Sequence, residues 1–238
     1  VLLDPLREWW SYPLVILDFE TTGVDPLEAM PVSVAALRLE QGIERGLFYS
    51  LIRPGIPIPS SAAEIHGITD EQVADAPELV DVAHELWRLA DGALPCGYNG
   101  GTYDKPILHR FIVGTDCPLF EPEQRWIDPL VIIRSLDRYE KGSGRHKLAR
   151  VCERWGVPML EGEAHNALGD VRAVGRLLTE LVRLDKVRAD VTLGRMLGYI
   201  EQKRAEQDRD YEKFRARVAA KEAQRELNFD EGKPCQAT

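Results

Sequence analysis

Asp18 and Glu20 stand two residues apart at the end of the apolar run Leu14-Val15-Ile16-Leu17, and Thr21-Thr22-Gly23 follows at once. The run is short, β-branched and preceded by Pro13, which reads as a buried strand. Side chains alternate faces along a strand, so both acids project from one side, about two residue rises apart. Carboxylates held that close repel unless they keep protons or share a cation. Paired acids closing a buried strand therefore point to a metal site, and a metal shell needs further acids elsewhere in the chain.

Two later segments offer them. Tyr98-Asn99-Gly100-Gly101-Thr102-Tyr103-Asp104 breaks a strand end into a Gly-rich turn and delivers Asp104 to a helix start, where the helix dipole favours an acid. A plain N-cap would use the same residue. His165-Asn166-Ala167-Leu168-Gly169-Asp170 leads into Val171, Val174, Leu177, Leu178 and Leu181 at helical spacing. Five helical residues turn the chain through about 500°, so Asp170 belongs to the helix and His165 to the loop before it, free to aim its imidazole separately. A histidine there can also be a cap or a surface residue; its fixed relation to an acid favours chemistry.

These residues must be held by the elements around them. Val32 to Leu39 and Leu47 to Ile52 read as two strands about the Gln41-Gly42 turn, forming an antiparallel meander with the first. Thr69 to Gln72 has capping-box spacing, and Pro77 opens a helix with the apolar stripe Leu79, Val82, Ala83, Leu86 and Leu89. Ala93 to Tyr98 reads as a core strand, Lys105 to Val113 as a helix and Gln124 to Ile127 as a short strand. Helices follow near Leu130–Tyr139, His146–Trp155 and Ala167–Leu184. A meander followed by alternating strands and helices predicts an α/β fold with a mixed central β-sheet flanked by helices. From Glu201 to Arg225 there is no Gly or Pro, and Glu206 with Arg209, Asp210 with Lys213 and Glu212 with Arg215 pair at i,i+3. That pattern predicts a long, charged, solvated C-terminal helix, followed by a frayed tail.

Composition sets the bounds. The chain has 238 residues, 44% hydrophobic and 29% charged, ordinary for one domain plus an extension. No run approaches membrane-spanning length and no basic-apolar leader is present, so neither secretion nor membrane insertion is expected. Position 1 is valine, consistent with a missing initiator or a longer N-terminus. Cys96, Cys117, Cys152 and Cys235 lack zinc-type spacing, and a reducing cytoplasm is expected. The net charge of −9 is unlike a long-duplex binder. Arg134, Arg138, Lys141, Arg145, Lys147, Arg150 and Arg154 nevertheless gather within one short stretch. A local basic face suits a strand end, and an ordinary solvated helix surface would look similar.

The segments DFETTG (18–23), YNGGTYD (98–104) and HNALGD (165–170), in this order, resemble the three motifs of the DnaQ-like, or DEDDh, family of 3′–5′ exonucleases, and His66-Gly67-Ile68-Thr69 resembles its proofreading (epsilon-type) branch. The resemblance covers about Leu14 to Leu184. It implies a ribonuclease H-like exonuclease fold over residues 1–185, with residues 186–238 as a helical extension and flexible tail. It also implies hydrolysis with two divalent ions, Mg²⁺ or Mn²⁺, about 4 Å apart. Asp18 would bridge them, Glu20 and Asp170 would complete the water-activating side, Asp104 would serve the other ion, and His165 would take the proton. Thr21, Thr22 and Gly23 would hold the terminal 3′-hydroxyl. The His66-Gly67-Ile68-Thr69 loop would lie beside the terminal nucleotide, with Leu27, Met30 and Ile68 as apolar base contacts or plain packing.

The chain departs from the family pattern in two places. Five steps rather than four separate Asn99 from Asp104, with Tyr98 preceding the Asn in place of His, and Ser33 stands where an acid or amide is common. Asp104 remains the ligand candidate, Asn99 a substrate-binding candidate, and Asp128 reads as a helix cap. Gln224-x-x-Leu227-x-Phe229 resembles a sliding-clamp docking peptide. The function implied is a DNA 3′–5′ exonuclease on single-stranded or frayed ends, releasing 5′-mononucleotides in proofreading or repair, with a polymerase and clamp as partners. The alternatives are an exoribonuclease trimming short RNA or tRNA ends and a catalytically silent adaptor.

Overall fold

The computed structural model describes residues 3–112, 124–140, 142, 144–159 and 166–231. Four strands, β1 (Leu14–Thr21), β2 (Pro31–Glu40), β3 (Ile43–Leu51) and β4 (Leu94–Cys96), form one sheet in the order β3-β2-β1-β4. The meander is antiparallel, and β4 joins β1 in parallel, giving the mixed sheet expected from the sequence. Gln41 and Gly42 turn the β2–β3 hairpin with φ of 49° and 85°, the left-handed pair that a two-residue hairpin demands.

The described residues also form the α-helices α1 (Ser60–His66), α2 (Asp70–Val73), α3 (Leu79–Ala90), α4 (Asp104–Ile112), α5 (Pro129–Leu136), α6 (Leu148–Arg154), α7 (Ala167–Arg183) and α8 (Leu193–Glu231). The strand period of two sorts the core into layers. Leu14 and Ile16 of β1, with Ala35, Leu37 and Leu39 of β2, face the buried stripe of α7 and the residues of α5 and α6. Val15, Leu17 and Phe19, with Val34 and Ala36, face α3 and Ile107 and Leu108 of α4. Continuing that alternation past Ile16 puts Asp18 and Glu20 on the α7 side, and this registry builds the site.

The capping box forms as expected: Thr69 N donates to Gln72 Oε1 at 2.8 Å, opening α2. Three details differ from the sequence reading. The strand expected over Gln124–Ile127 contracts to one parallel bridge, Cys96 to Ile127, because only that pair runs alongside β4 before Asp128 opens α5. The proline-rich stretch ends in α1, whose Ala62 joins Val32, Ile58, Ile68 and Val73 in a small separate core. The compact unit runs to Ile200, since Leu193, Met196, Leu197 and Ile200 pack into the α7-side core with Trp9. Trp9 is fully buried, its indole donating to the Arg188 carbonyl at 2.8 Å and its backbone N to the Val191 carbonyl at 3.0 Å. The second unit begins at Glu201 and is the rest of α8. It carries i,i+3 pairs of the expected kind, Lys203–Glu206 at 2.7 Å and Lys213–Asp210 at 3.6 Å. No helix among the described residues is long and apolar enough to cross a membrane.

Gly97 and Gly100 let the second motif press against β1. A Cβ on Gly97 would lie 2.9 Å from Gly100 Cα and 3.2 Å from the Leu17 carbonyl oxygen, the peptide that leads into Asp18. Gly97→Ala is therefore expected to cost about 1–3 kcal/mol, lowering Tm by roughly 3–10 °C. Gly198→Ala, where a Cβ meets nothing within 4 Å, serves as the control and should be neutral or stabilising. Equal melting of the two variants would refute the close-approach argument.

Candidate active site

The site grows from the end of β1. Asp18, Glu20 and Asp170 each offer a carboxylate oxygen within 4.8 Å of the others, and all three are partly buried. Asp18 and Glu20 arrive by the strand period, and Asp170 sits in the first turn of α7. The Asn166 side chain caps that turn, accepting from Leu168 N at 3.0 Å. Gly175, one turn and a half further on, lets α7 close on the sheet: its Cβ would meet Leu37 Cδ2 at 3.1 Å and Ile16 Cδ1 at 3.4 Å.

Asp104 reaches the same neighbourhood from the other side. β4 pairs β1 only as far as Ile16, so β1 outruns its neighbour there. Phe19 N donates to Asp104 Oδ1 at 3.2 Å, supplying the partner that β4 does not. Asp104 is 2% exposed, so its backbone bond only partly offsets the cost of burying a charge. Burial pushes its carboxyl pKa up. Asp18 is likewise raised, by burial first and then by Asp104, Asp170 and Glu20 in turn. Glu20 is raised to about 7 by burial and by Asp170. Acids that repel in this way are short of positive charge.

The remaining expected residues fall around this cluster. Thr21 Oγ1 donates to the Gly23 carbonyl at 2.8 Å, and Thr22 N bonds to the Met30 carbonyl at 2.9 Å. The two threonines thus shape the turn that follows Glu20. His66 ends α1 in contact with this turn, where Thr21 partly offsets the burial that lowers its imidazole pKa; its Nδ1 accepts from Ile68 N at 3.1 Å. Asn99 takes a left-handed φ of 67°, donates its N–H to Asp128 Oδ1 at 3.1 Å and accepts Thr102 Oγ1 at 2.7 Å on its own side chain. Asp128 also caps α5 through Leu130 N at 2.9 Å, as expected of a cap. Ile68 packs in the small core, whereas Leu27 is 71% exposed. His165 lies outside the described residues. Gln224, Leu227 and Phe229 fall within the backbone of α8.

Two residues here were not singled out from the sequence. Tyr103 Oη lies 2.5 Å from both Thr21 Oγ1 and the Gly23 carbonyl, fastening the first motif to the second. Its place one residue before Asp104 was a usable signal. Arg110 of α4 donates to the Pro26 and Ala29 carbonyls at 2.9 and 2.8 Å, clamping the loop that follows the first motif; nothing in its sequence context marks it.

Oxygen donors alone, held close and short of positive charge, suit a hard divalent cation. Ser33 adds to the fit. It pairs with Glu20 across β1 and β2 and is fully buried, so a hydroxyl rather than a cation stands beside the cluster.

Comparison with known proteins matches this geometry. The RNase_T family model, described as Exonuclease, matches residues 15–178. The chain belongs to this exonuclease family. The exonuclease domain is 30% identical over 190 residues to a DNA polymerase III subunit epsilon-like protein of Rhodobacter capsulatus, covering 77% of this chain and 25% of that protein. It is 32% identical over 164 residues to a PolC-type DNA polymerase III of Streptococcus thermophilus, covering 69% of this chain and 11% of that polymerase. The chain thus spans a quarter or less of these relatives. Among solved structures, Exonuclease X in complex with 5′ overhanging duplex DNA superposes with a TM-score of 0.59 at 24% identity, covering 79% of this chain and 99% of that one. The exonuclease domain therefore has the ribonuclease H-like fold and the DnaQ-like kinship that its three motifs implied.

Proposed function

We propose that this domain is a metal-dependent 3′–5′ exonuclease that removes 5′-mononucleotides from single-stranded or frayed DNA ends. The observation that carries the reading is the convergence of Asp18, Glu20 and Asp170 on one point, with buried Asp104 beside Asp18, inside an exonuclease-family domain. Asp18, Glu20 and Asp170 would hold one divalent ion, and Asp18 with Asp104 a second, Mg²⁺ or Mn²⁺. Such ions, when bound, offset the negative charge that builds on the phosphoryl oxygens and favour deprotonation of the attacking water.

The rest of the chemistry falls to side chains. His165, the imidazole base of the proposed site, accepts the water proton at a ring nitrogen as the new P–O bond forms. The bond from phosphorus to the 3′ oxygen of the preceding nucleotide breaks, and that oxyanion takes a proton from solvent to give a fresh 3′-hydroxyl. The Thr21–Gly23 turn, fixed by Tyr103, and the His66 loop hold the terminal nucleotide, so an end is required rather than an internal bond.

The epsilon-like and PolC-type relatives support placement beside a replicative polymerase. The segment Gln224–Phe229 would contact a sliding clamp; because it lies within α8, docking as an extended peptide would require the last turns to unwind. Mixing the peptide 224–229 with a clamp and finding no competition for its pocket would exclude that contact.

The deciding experiment is degradation of 5′-labelled DNA and RNA strands of matched sequence with Mg²⁺, Mn²⁺ or chelator. A descending ladder from DNA, abolished by chelator, is expected; 5′-end release or metal-independent cleavage overturns the reading. His165→Ala should lower kcat by about 10²–10⁴-fold with KM little changed, measured by steady-state hydrolysis.

A further inference from the structure

We propose that the face shared by the C-terminal end of α5 and one side of α6 grips the phosphate backbone of the single strand several nucleotides before its 3′ terminus. The inference rests on the exonuclease reading above. Arg134 lies in the last turn of α5 and Arg138 and Tyr139 just beyond it. Arg150 and Arg154 stand four residues apart on one side of α6, and Lys147 precedes its first turn. Arg154 joins the two elements by donating Nε and Nη2 to Asp137 Oδ2, where the Trp155 indole also donates at 3.2 Å. The acid inside this face is therefore neutralised.

Arg134, Arg138, Arg145, Lys147 and Arg150 form no ion pair among the described residues, and all but Arg145 are exposed. Within residues 134–154 the other acids are Glu140 and Glu153, so this stretch is strongly positive on a chain of net charge −9. Unpaired cations in a row suit a polyanion.

The stacking surface selects among polyanions. Tyr139 is 78% exposed, with the Arg138 guanidinium 4.8 Å from its ring centroid. An exposed aromatic beside unpaired arginines offers an unstacked base a platform while its phosphates meet the cations. An acidic protein or a lipid surface would use the charge and leave the ring unexplained.

The location fits a strand leading to the site. Tyr98, which opens the segment ending in Asp104, donates its hydroxyl to the His146 carbonyl at 2.6 Å, just before α6. At the other end Asn99 N bonds the Asp128 cap of α5. The basic face is thus tied through His146 to the segment that carries Asp104, and the same segment holds the first turn of α5.

The test compares the wild-type protein with Arg138→Ala/Tyr139→Ala/Arg150→Ala on a 5′-labelled 20-mer and a trimer. By fluorescence anisotropy in chelator, the Kd for the 20-mer should rise about tenfold or more, and the salt slope should fall by about 0.7 for each cation removed. In Mg²⁺, kcat/KM for the trimer should stay within twofold. A 20-mer Kd within twofold of wild type overturns the proposal, as does equal loss on the trimer. Displacement of the 20-mer by poly-glutamate as readily as by unlabelled strand also overturns it, by making the face a general anion surface. Arg150→Gln alone, at an exposed helical position, should move the Kd in the same direction if the triple variant melts early. A wild-type protein that cleaves neither substrate overturns the exonuclease reading instead, while the anisotropy comparison still decides this one.

Discussion

Replacing Asp18 by Asn is expected to abolish metal-dependent hydrolysis while making the metal-free protein harder to unfold. The side chain keeps its shape and loses its charge. Burial and three neighbouring acids all push the Asp18 pKa up, so the charged form is a net burden on the empty fold. Neutralising it also relieves Glu20 and Asp104, whose own carboxyls are raised in the same pocket. Relief of about 1–2 kcal/mol, a modest share of such a buried repulsion, would raise Tm in chelator by about 2–8 °C for a domain of this size. Activity should move the other way. Without the central anionic ligand the stabilisation of transition-state charge is lost, and turnover should drop by more than about 10³-fold. Thermal melts in chelator and hydrolysis in Mg²⁺, run on the same preparation, read both. Full hydrolysis by Asp18→Asn would sink the metal assignment, and a lower metal-free Tm would sink the electrostatic argument.

The carboxylate pair was legible because its signal is local: strand alternation alone sets Asp18 and Glu20 on one face, whatever the fold around them. Asp104 and Asp170 were legible as motif members. The reason Asp104 reaches β1 was not, since it depends on β4 stopping at Cys96 and leaving Phe19 N for another partner. Gly97 and Gly100 show the same limit: their need for small size comes from a close approach of two segments far apart in sequence. Ser33 appeared as a departure from a pattern, and only the register of β2 on β1 sets it opposite Glu20. The short strand at Ile127 was over-read because an apolar run does not reveal how long its neighbour will be. In the C-terminal segment, i,i+3 charge pairing announced the helix, whereas its start at Leu193 is set by burial against Trp9.

In chelator, the stability of the wild-type protein should fall as pH rises from about 6.5 to 8, and Mg²⁺ should remove that fall. Glu20 titrates near 7 in the folded chain against an ordinary value of 4.5, and Asp18 and Asp104 are also displaced upward. A raised carboxyl binds a proton in the fold that the unfolded chain has already released, so its contribution is complete below the unfolded pKa and disappears as pH passes the folded one. For Glu20 alone the displacement corresponds to on the order of 3 kcal/mol in all, most of it lost between pH 4.5 and 7 and roughly 1 kcal/mol above pH 6.5. Two partly buried histidines, His66 and His146, act in the opposite sense, because burial lowers their pKa and favours the neutral ring. Their contribution grows with pH and is complete about one unit above the ordinary value of 6.5, so the carboxyl slope is clean from about pH 7.5. A divalent ion favours the charged carboxylates and competes with their protons, so its stabilising effect should be small at pH 5 and large at pH 8. At a hundredfold excess over Kd it supplies about 2.7 kcal/mol. Glu20→Gln should flatten the metal-free slope and reduce the Mg²⁺ response together. A metal-free Tm that stays level or climbs between pH 6.5 and 8 would mean that the acids already carry compensating positive charge, and the cluster would then have no need of a cation.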